Sequence, residues 1–135
     1  MPAQLNHTIV GARDREAAAQ FLTEVLGLPP AADYGPFKVV ELGNGVSMDF
    51  MDWGDHEIAS QHYAFLVSED EFDEIFGRIK DRDLEYWADP HQSLPGEINT
   101  HDGGRGVYWS HPNGHLLEII TRPYGSGGTS ASSPE

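Results

Sequence analysis

Asn113-Gly114-His115-Leu116-Leu117-Glu118-Ile119-Ile120-Thr121 is the stretch on which the reading of this chain turns. A Pro-Asn-Gly turn beginning at Pro112 feeds an apolar run that predicts a strand, with one carboxylate in its middle. Taking an ionised Glu out of water costs several kcal/mol unless something pairs with it. Either this strand shows one face to water, or a cation stands opposite Glu118. The rest of the chain can be searched for that cation's other ligands.

Working back from Glu118, Gly106 to Ser110 predicts a strand, and 89–105 is a long loop rich in Pro, Gly and polar residues. Loops of that length are usually functional or mobile. Leu84 to Ala88 is a short strand candidate. Ahead of it Phe72, Ile75, Phe76 and Ile79 fall at helical spacing, and Ser68-Glu69-Asp70-Glu71 has the form of a capping box. That helix should fade near Asp81 to Asp83. Gln61 to Val67 is a strand with a His near its start.

The first half has the same order. Leu5 to Val10 predicts a strand carrying His7, with Leu5, His7 and Ile9 on one face. Asp14 caps a helix over Arg15 to Leu26, whose apolar stripe is Ala18, Phe21, Leu22, Val25 and Leu26, and Gly27 closes it. Phe37 to Leu42 and Val46 to Met51 form a hairpin across Gly43-Asn44-Gly45. Both halves therefore read as strand, helix, strands, and the second strand of each half is the weakest in signal. The chain is an α+β domain over 1–122, built of module one at 4–54 and module two at 59–122. From Pro123 onward Gly, Ser and Thr dominate, and 123–135 is expected to be a disordered tail.

Overlaying the halves sets His7 against His62 and Asp49 against Glu118. If two such units pack about a pseudo-twofold axis, these side chains converge. Two His and one carboxylate with open positions suit Fe(II), and also Mn, Ni, Co or Zn. Each residue has a plainer reading: a hydrogen-bonded strand His, a Glu facing water, an Asp capping a turn or meeting an Arg. Joint placement in a repeat favours His7, His62 and Glu118 as ligands of a divalent metal ion. Asp49 stands as a fourth ligand or a base beside the metal. His101 and Arg105, on the long loop, are candidates to reach a substrate. His56, His91, His101, His111 and His115 lie in or beside loops and turns, and are expected to be solvated. Trp53, Trp87 and Trp109 read as core or pocket wall.

Acidic residues outnumber basic ones 22 to 8, for a formal charge of -14. Such a field repels phosphate backbones and anionic lipid, which argues against nucleic-acid and membrane partners. With no cysteine there are no disulfides, thiolate metal ligands or thiol nucleophiles. No apolar run approaches the roughly 20 residues that span a bilayer. No export signal opens the sequence, and a cytoplasmic protein is expected. Gly103-Gly104-Arg105-Gly106 precedes a strand, not a helix, so it is not a phosphate loop.

Leu-Asn-His at 5 to 7, Gln-His-Tyr-Ala-Phe at 61 to 65 and Tyr-Trp-Ser-His-Pro-Asn-Gly-His-Leu-Leu-Glu at 108 to 118 resemble the vicinal-oxygen-chelate superfamily. That superfamily includes glyoxalase I, extradiol dioxygenases, fosfomycin-resistance thiol transferases and bleomycin-resistance proteins. The resemblance runs from Leu5 to Thr121 and implies two tandem βαβββ modules forming a cupped mixed sheet, with helices on the outside. It implies His7, His62 and Glu118 as metal ligands, a substrate bound through adjacent oxygens, and a homodimer.

His-Tyr-Ala-Phe and Gly-His-Leu-Leu-Glu are most like the fosfomycin-resistance transferases, where Tyr108 matches a substrate-contacting tyrosine. The chain departs from them at Ile9, where they carry threonine, and at Ala88-Asp89, where a lysine is missing. Their potassium-binding loop is replaced by Thr100 to Gly104. The implied function is a metal-dependent enzyme acting on a small oxygen-chelating molecule, by lyase, dioxygenase or transferase chemistry. In it Asp49 and Tyr108 would be the catalytic groups, with His101 an alternative acid or base. The other reading is a small-molecule binding or antibiotic-sequestration protein that uses the same cup without turnover.

Overall fold

The computed structural model describes residues 2–127, which divide into two compact units between Ala59 and Ser60. In the first, β1 (His7–Ala12) leads to Asp14, whose carboxylate accepts the amides of Glu16 and Ala17 at 3.0 and 3.2 Å. These bonds satisfy two donors that a helix start leaves open, so α1 (Arg15–Leu26) begins there. It ends at Gly27, which takes the left-handed φ of 72°. Its buried Ala18, Ala19, Leu22 and Val25 pack toward β1, β3 (Phe37–Glu41) and β4 (Ser47–Asp52). The sheet runs β1-β4-β3-β2, with β2 at Ala32–Tyr34. The β1–β4 pair is parallel and the other two pairs antiparallel. Val10, Ala12, Val40, Met48 and Phe50 are buried, and strand alternation puts them on the face opposite His7, Ile9 and Asp49.

Two details differ from the sequence expectation. β1 starts two residues late, because its ladder begins only where His7 meets Ser47, and Leu5 before it is exposed. β2 is three exposed residues held by antiparallel pairing to β3. It has no buried side and therefore no alternation to read.

The second unit repeats the plan. After β5 (His62–Leu66), Ser68 and Glu71 exchange bonds, with Glu71 N–H donating to Ser68 Oγ at 3.1 Å and Ser68 N–H to Glu71 Oε1 at 2.8 Å. This capping box starts α2 (Glu69–Asp81), which buries Phe72, Ile75 and Ile79. β6 (Tyr86–Trp87), β7 (Gly106–Ser110) and β8 (Leu116–Ile120) complete a sheet of order β5-β8-β7-β6. Again the first and last strands, β5 and β8, pair in parallel. A parallel pair needs a crossover, and the helix with its two intervening strands supplies one in each unit. Val107, Trp109, Leu117 and Ile119 are buried on one face of β7 and β8, and Phe76 of α2 meets Tyr86 edge-on at 5.0 Å. The protein is thus α+β, two tandem βαβββ modules each with a mixed four-stranded sheet. No helix among the described residues is long and apolar enough to cross a membrane.

The long loop is internally organised. Asp89 accepts from the Ser93 amide at 3.0 Å, the Ser93 hydroxyl at 2.5 Å and the Leu94 amide at 2.9 Å. Asn99 donates to the Ala88 carbonyl at 2.9 Å and bridges Gly106. The chain from Pro123, the expected start of the tail, continues into hydrogen-bonded turns as far as Gly127. The remainder of that tail, 128–135, lies outside the described residues.

Candidate functional site

The register of the two sheets places the four repeat residues alike. In the first unit His7 pairs with Ser47 and Ile9 with Asp49. In the second His62 pairs with Leu116 and Ala64 with Glu118. Each histidine therefore lies two ladder positions before a carboxylate on the neighbouring parallel strand, on the same sheet face. The local outcomes differ. His7 is exposed and its Nδ1 lies 2.8 Å from Asn6 Oδ1, while Asp49 accepts from Ser47 Oγ at 2.8 Å. In the second unit His62 Nε2 stands 3.0 Å from Glu118 Oε1. Glu carries one methylene more than Asp, and that length is what reaches the imidazole.

Glu118 is completely buried, whereas the His62 side chain is 35% exposed. The carboxylate is thus shut from water on a face where the imidazole stays open. Its second oxygen, Oε2, accepts from the Tyr124 hydroxyl, and that hydroxyl lies 3.1 Å from Tyr108 OH. Burial, with the bonds to Glu118 and Tyr108 adding to it, holds the Tyr124 phenol well above its ordinary pKa. Tyr108 is itself fully buried, in register with Glu118 on β7, and its ring lies 5.7 Å from that of His62. The opening question about Glu118 has a definite answer: its strand shows no face to water there, and an imidazole and a phenol meet the carboxylate.

His111 and His115 correct the sequence reading, which expected them to be solvated. They are 3% and 2% exposed. His111 Nδ1 accepts the Asn113 amide at 3.2 Å, and His115 Nδ1 accepts the Gln61 amide at 3.1 Å. Each imidazole accepts a main-chain donor, one within the Pro-Asn-Gly turn and one just before β5, and such donors need acceptors. His56, His91 and His101 are exposed, as expected. Trp109 is core, and its indole N–H has no hydrogen-bond partner among the described residues.

Arg105, a candidate to reach a substrate from the long loop, packs against α2. Its guanidinium meets Glu69 at 2.8 Å and Asp73 at 2.9 Å and stacks 4.3 Å over the Phe72 ring. Those contacts raise the Arg105 pKa, the Asp73 bond most, and a hydrogen bond from Thr121 followed by that from Arg105 lowers the Glu69 pKa. His101 sits exposed on a short 3-10 turn, His101–Gly103.

His62 and Glu118 are brought together; His7 and Asp49 belong to the first unit. Among the described residues no group of three or more His, Asp or Glu side chains is gathered closely enough to hold a metal. The pair in the second unit nonetheless fits a divalent ion chemically, offering one imidazole nitrogen and one carboxylate oxygen directed at each other. Sequence reasoning missed Tyr124. A lone aromatic in a Gly/Ser-rich segment has no periodic neighbours to announce it.

Two four-stranded mixed sheets, each crossed over by one helix and each pairing a histidine strand with a carboxylate strand, define a class of fold. The chain belongs to the Glyoxalase/Bleomycin resistance protein/Dioxygenase superfamily, which it matches over residues 4–119. Among solved structures it is similar to Oxidase ChaP-H1, at 61% identity with a TM-score of 0.89, covering 92% of this chain and 99% of that one. Oxidase ChaP-H2 is 62% identical with a TM-score of 0.91, covering 95% of this chain and all, 100%, of that one. The fosfomycin resistance protein FosX of Listeria monocytogenes shares the fold at 22% identity and a TM-score of 0.69, over 93% of this chain and 96% of that chain. No curated protein matches the chain.

Proposed function

We propose that this protein is a divalent-metal-dependent oxidase of its superfamily, acting on a small molecule that presents two adjacent oxygens. The observation that carries the proposal is the approach of His62 Nε2 to the wholly buried Glu118 at 3.0 Å. A buried carboxylate beside an imidazole nitrogen supplies two donor atoms that a cation could take in place of the proton between them. His7 is the third ligand of the proposed set, supported by its matching register in the first unit. Similarity to two oxidases at 61% and 62% identity favours oxidation over lyase or transfer chemistry. Iron(II) is the ion that suits both the donor set and dioxygen.

When bound, such an ion polarises substrate oxygens and stabilises the anion they become. The chain's own groups do the rest. Tyr108, buried against His62, walls the substrate side and holds the hydroxyl that Tyr124 meets. Asp49, nearly buried and fixed by Ser47, is the proposed base that takes a substrate proton. His101 is exposed where a polar substrate end would find it, and the Arg105 guanidinium is read as an anchor of its loop to α2. For a catechol the net reaction would move two electrons and two protons from the substrate to dioxygen, giving a quinone and hydrogen peroxide. A small-molecule partner, a homodimer and a cytoplasmic location complete the proposal.

The test is metal analysis of protein purified without chelator, followed by oxygen-electrode assays with catechols and related vicinal diols or hydroxyketones. Near-stoichiometric iron and substrate-dependent oxygen uptake are expected, both lost in His62→Ala and Glu118→Ala. Tight binding of such compounds, unaffected by metal removal and without product, would replace the oxidase reading with sequestration.

A further inference from the structure

We infer that Tyr124 is a positioning residue for Glu118, holding one carboxylate oxygen so that only the other meets the metal. The inference rests on the metal reading above. Glu118 cannot share its lone pairs with water, because it is fully buried, so each oxygen takes its direction from a side chain. Oε1 faces His62 and Oε2 accepts from Tyr124. An ionised carboxylate only accepts, so the Tyr124 hydroxyl spends its single proton there. Tyr108, 3.1 Å away, must then donate toward Tyr124. The result is a directed chain from Tyr108 through Tyr124 to Oε2, ending in a charge-assisted bond of the stronger kind.

A carboxylate left to itself can grip a cation with one oxygen or two. Engaging Oε2 leaves Glu118 a single-oxygen ligand through Oε1, and one more coordination position is free for a substrate oxygen. Tyr124 is fixed in place from its own turn. Arg122 Nη2 donates to the Ser126 carbonyl at 2.9 Å, Ser126 N–H to the Pro123 carbonyl at 3.0 Å, and Gly127 N–H to Asp102 Oδ1 at 3.2 Å. Gly127 lies so near the 3-10 turn that a Cβ there would come within 2.6 Å of Asp102 Cα. The segment after the last strand is thereby clamped to the long loop, and its one aromatic side chain is delivered to the carboxylate.

Full-length apoprotein titrated with Co(II) tests this without reference to turnover. Tyr124→Phe keeps the ring and removes only the hydroxyl. Its Co(II) affinity should fall about 10- to 100-fold, the usual range for losing a partner of a metal ligand. Its visible Co(II) bands should also weaken, as the freed oxygen joins the metal and the coordination number rises. Tyr108→Phe should move both readouts the same way by less. Parent-like affinity and spectrum in Tyr124→Phe would overturn the inference while the parent and His62→Ala controls leave the metal site standing. A parent that binds no Co(II) would remove both readings together.

Discussion

His115 Nδ1 accepts the amide of Gln61 at 3.1 Å, tying the start of β8 to the start of β5. The Leu116 amide donates to the Gln61 carbonyl at 2.8 Å beside it, so this corner sets the ladder that brings His62 to Glu118. His115→Ala should cost about 1–3 kcal/mol, from the lost hydrogen bond and the cavity left by a buried ring. Chemical denaturation checks the stability, and metal titration of the same variant should show weakened binding, since the register it supports carries both proposed ligands.

Metal removal should lower thermal stability, because an ion bound only by the folded state stabilises it by mass action. At 100 times its dissociation constant the effect is about 2.7 kcal/mol. Calorimetry with and without chelator should show a melting temperature that falls and is restored by added metal. In Glu118→Ala the melting temperature should no longer respond to either.

Gly11 sits on β1 directly beneath Trp53, where a Cβ would come within 2.3 Å of the indole. The indole or the strand must shift to admit a Cβ, so Gly11→Ala is expected to destabilise by about 1–3 kcal/mol through overpacking. Urea titration is the check, with an unchanged m-value expected. A neutral result would mean that Trp53 is free to swing away.

Asp89 is held below the ordinary carboxylate pKa, first by the Ser93 hydroxyl, with the Ser93 and Leu94 amides and the nearby His91 helping against burial. A depressed folded pKa contributes stability that is present above the unfolded value, about 3.9, and is lost as pH falls through the folded one. The loop after Asp89 should therefore stay protected at pH 5 and loosen only in stronger acid. Carboxyl titration by NMR should place Asp89 below ordinary aspartates, and Asp89→Ala should open the loop to proteolysis already at neutral pH.

Much of the architecture was legible because its signals are local. The Asp14 cap, the Ala18–Leu22–Val25 stripe and the Gly27 stop lie within one helix, and α1 spans the predicted Arg15–Leu26. The Ser68–Glu71 capping box and the predicted strand at Gly106–Ser110 form as read. The repeat itself was legible, since two histidine strands and two carboxylate strands recur in order, and their registers match pair for pair. β2 was not legible, because a fully exposed three-residue strand is defined by its partner's hydrogen bonds and not by its own side chains.

The sequence by itself determined the two modules, their helices and the residues that a cation would attract, because periodicity, caps and residue chemistry act over a few positions. Only the tertiary structure decided what each polar group meets. It buried His111 and His115 in a turn that looks solvated, gave Arg105 to α2, and brought Tyr124 from an unpatterned segment onto Glu118. The physical reason is that burial and hydrogen-bond partnership belong to pairs of residues. For Glu118 those partners lie 56 positions before it and 6 after.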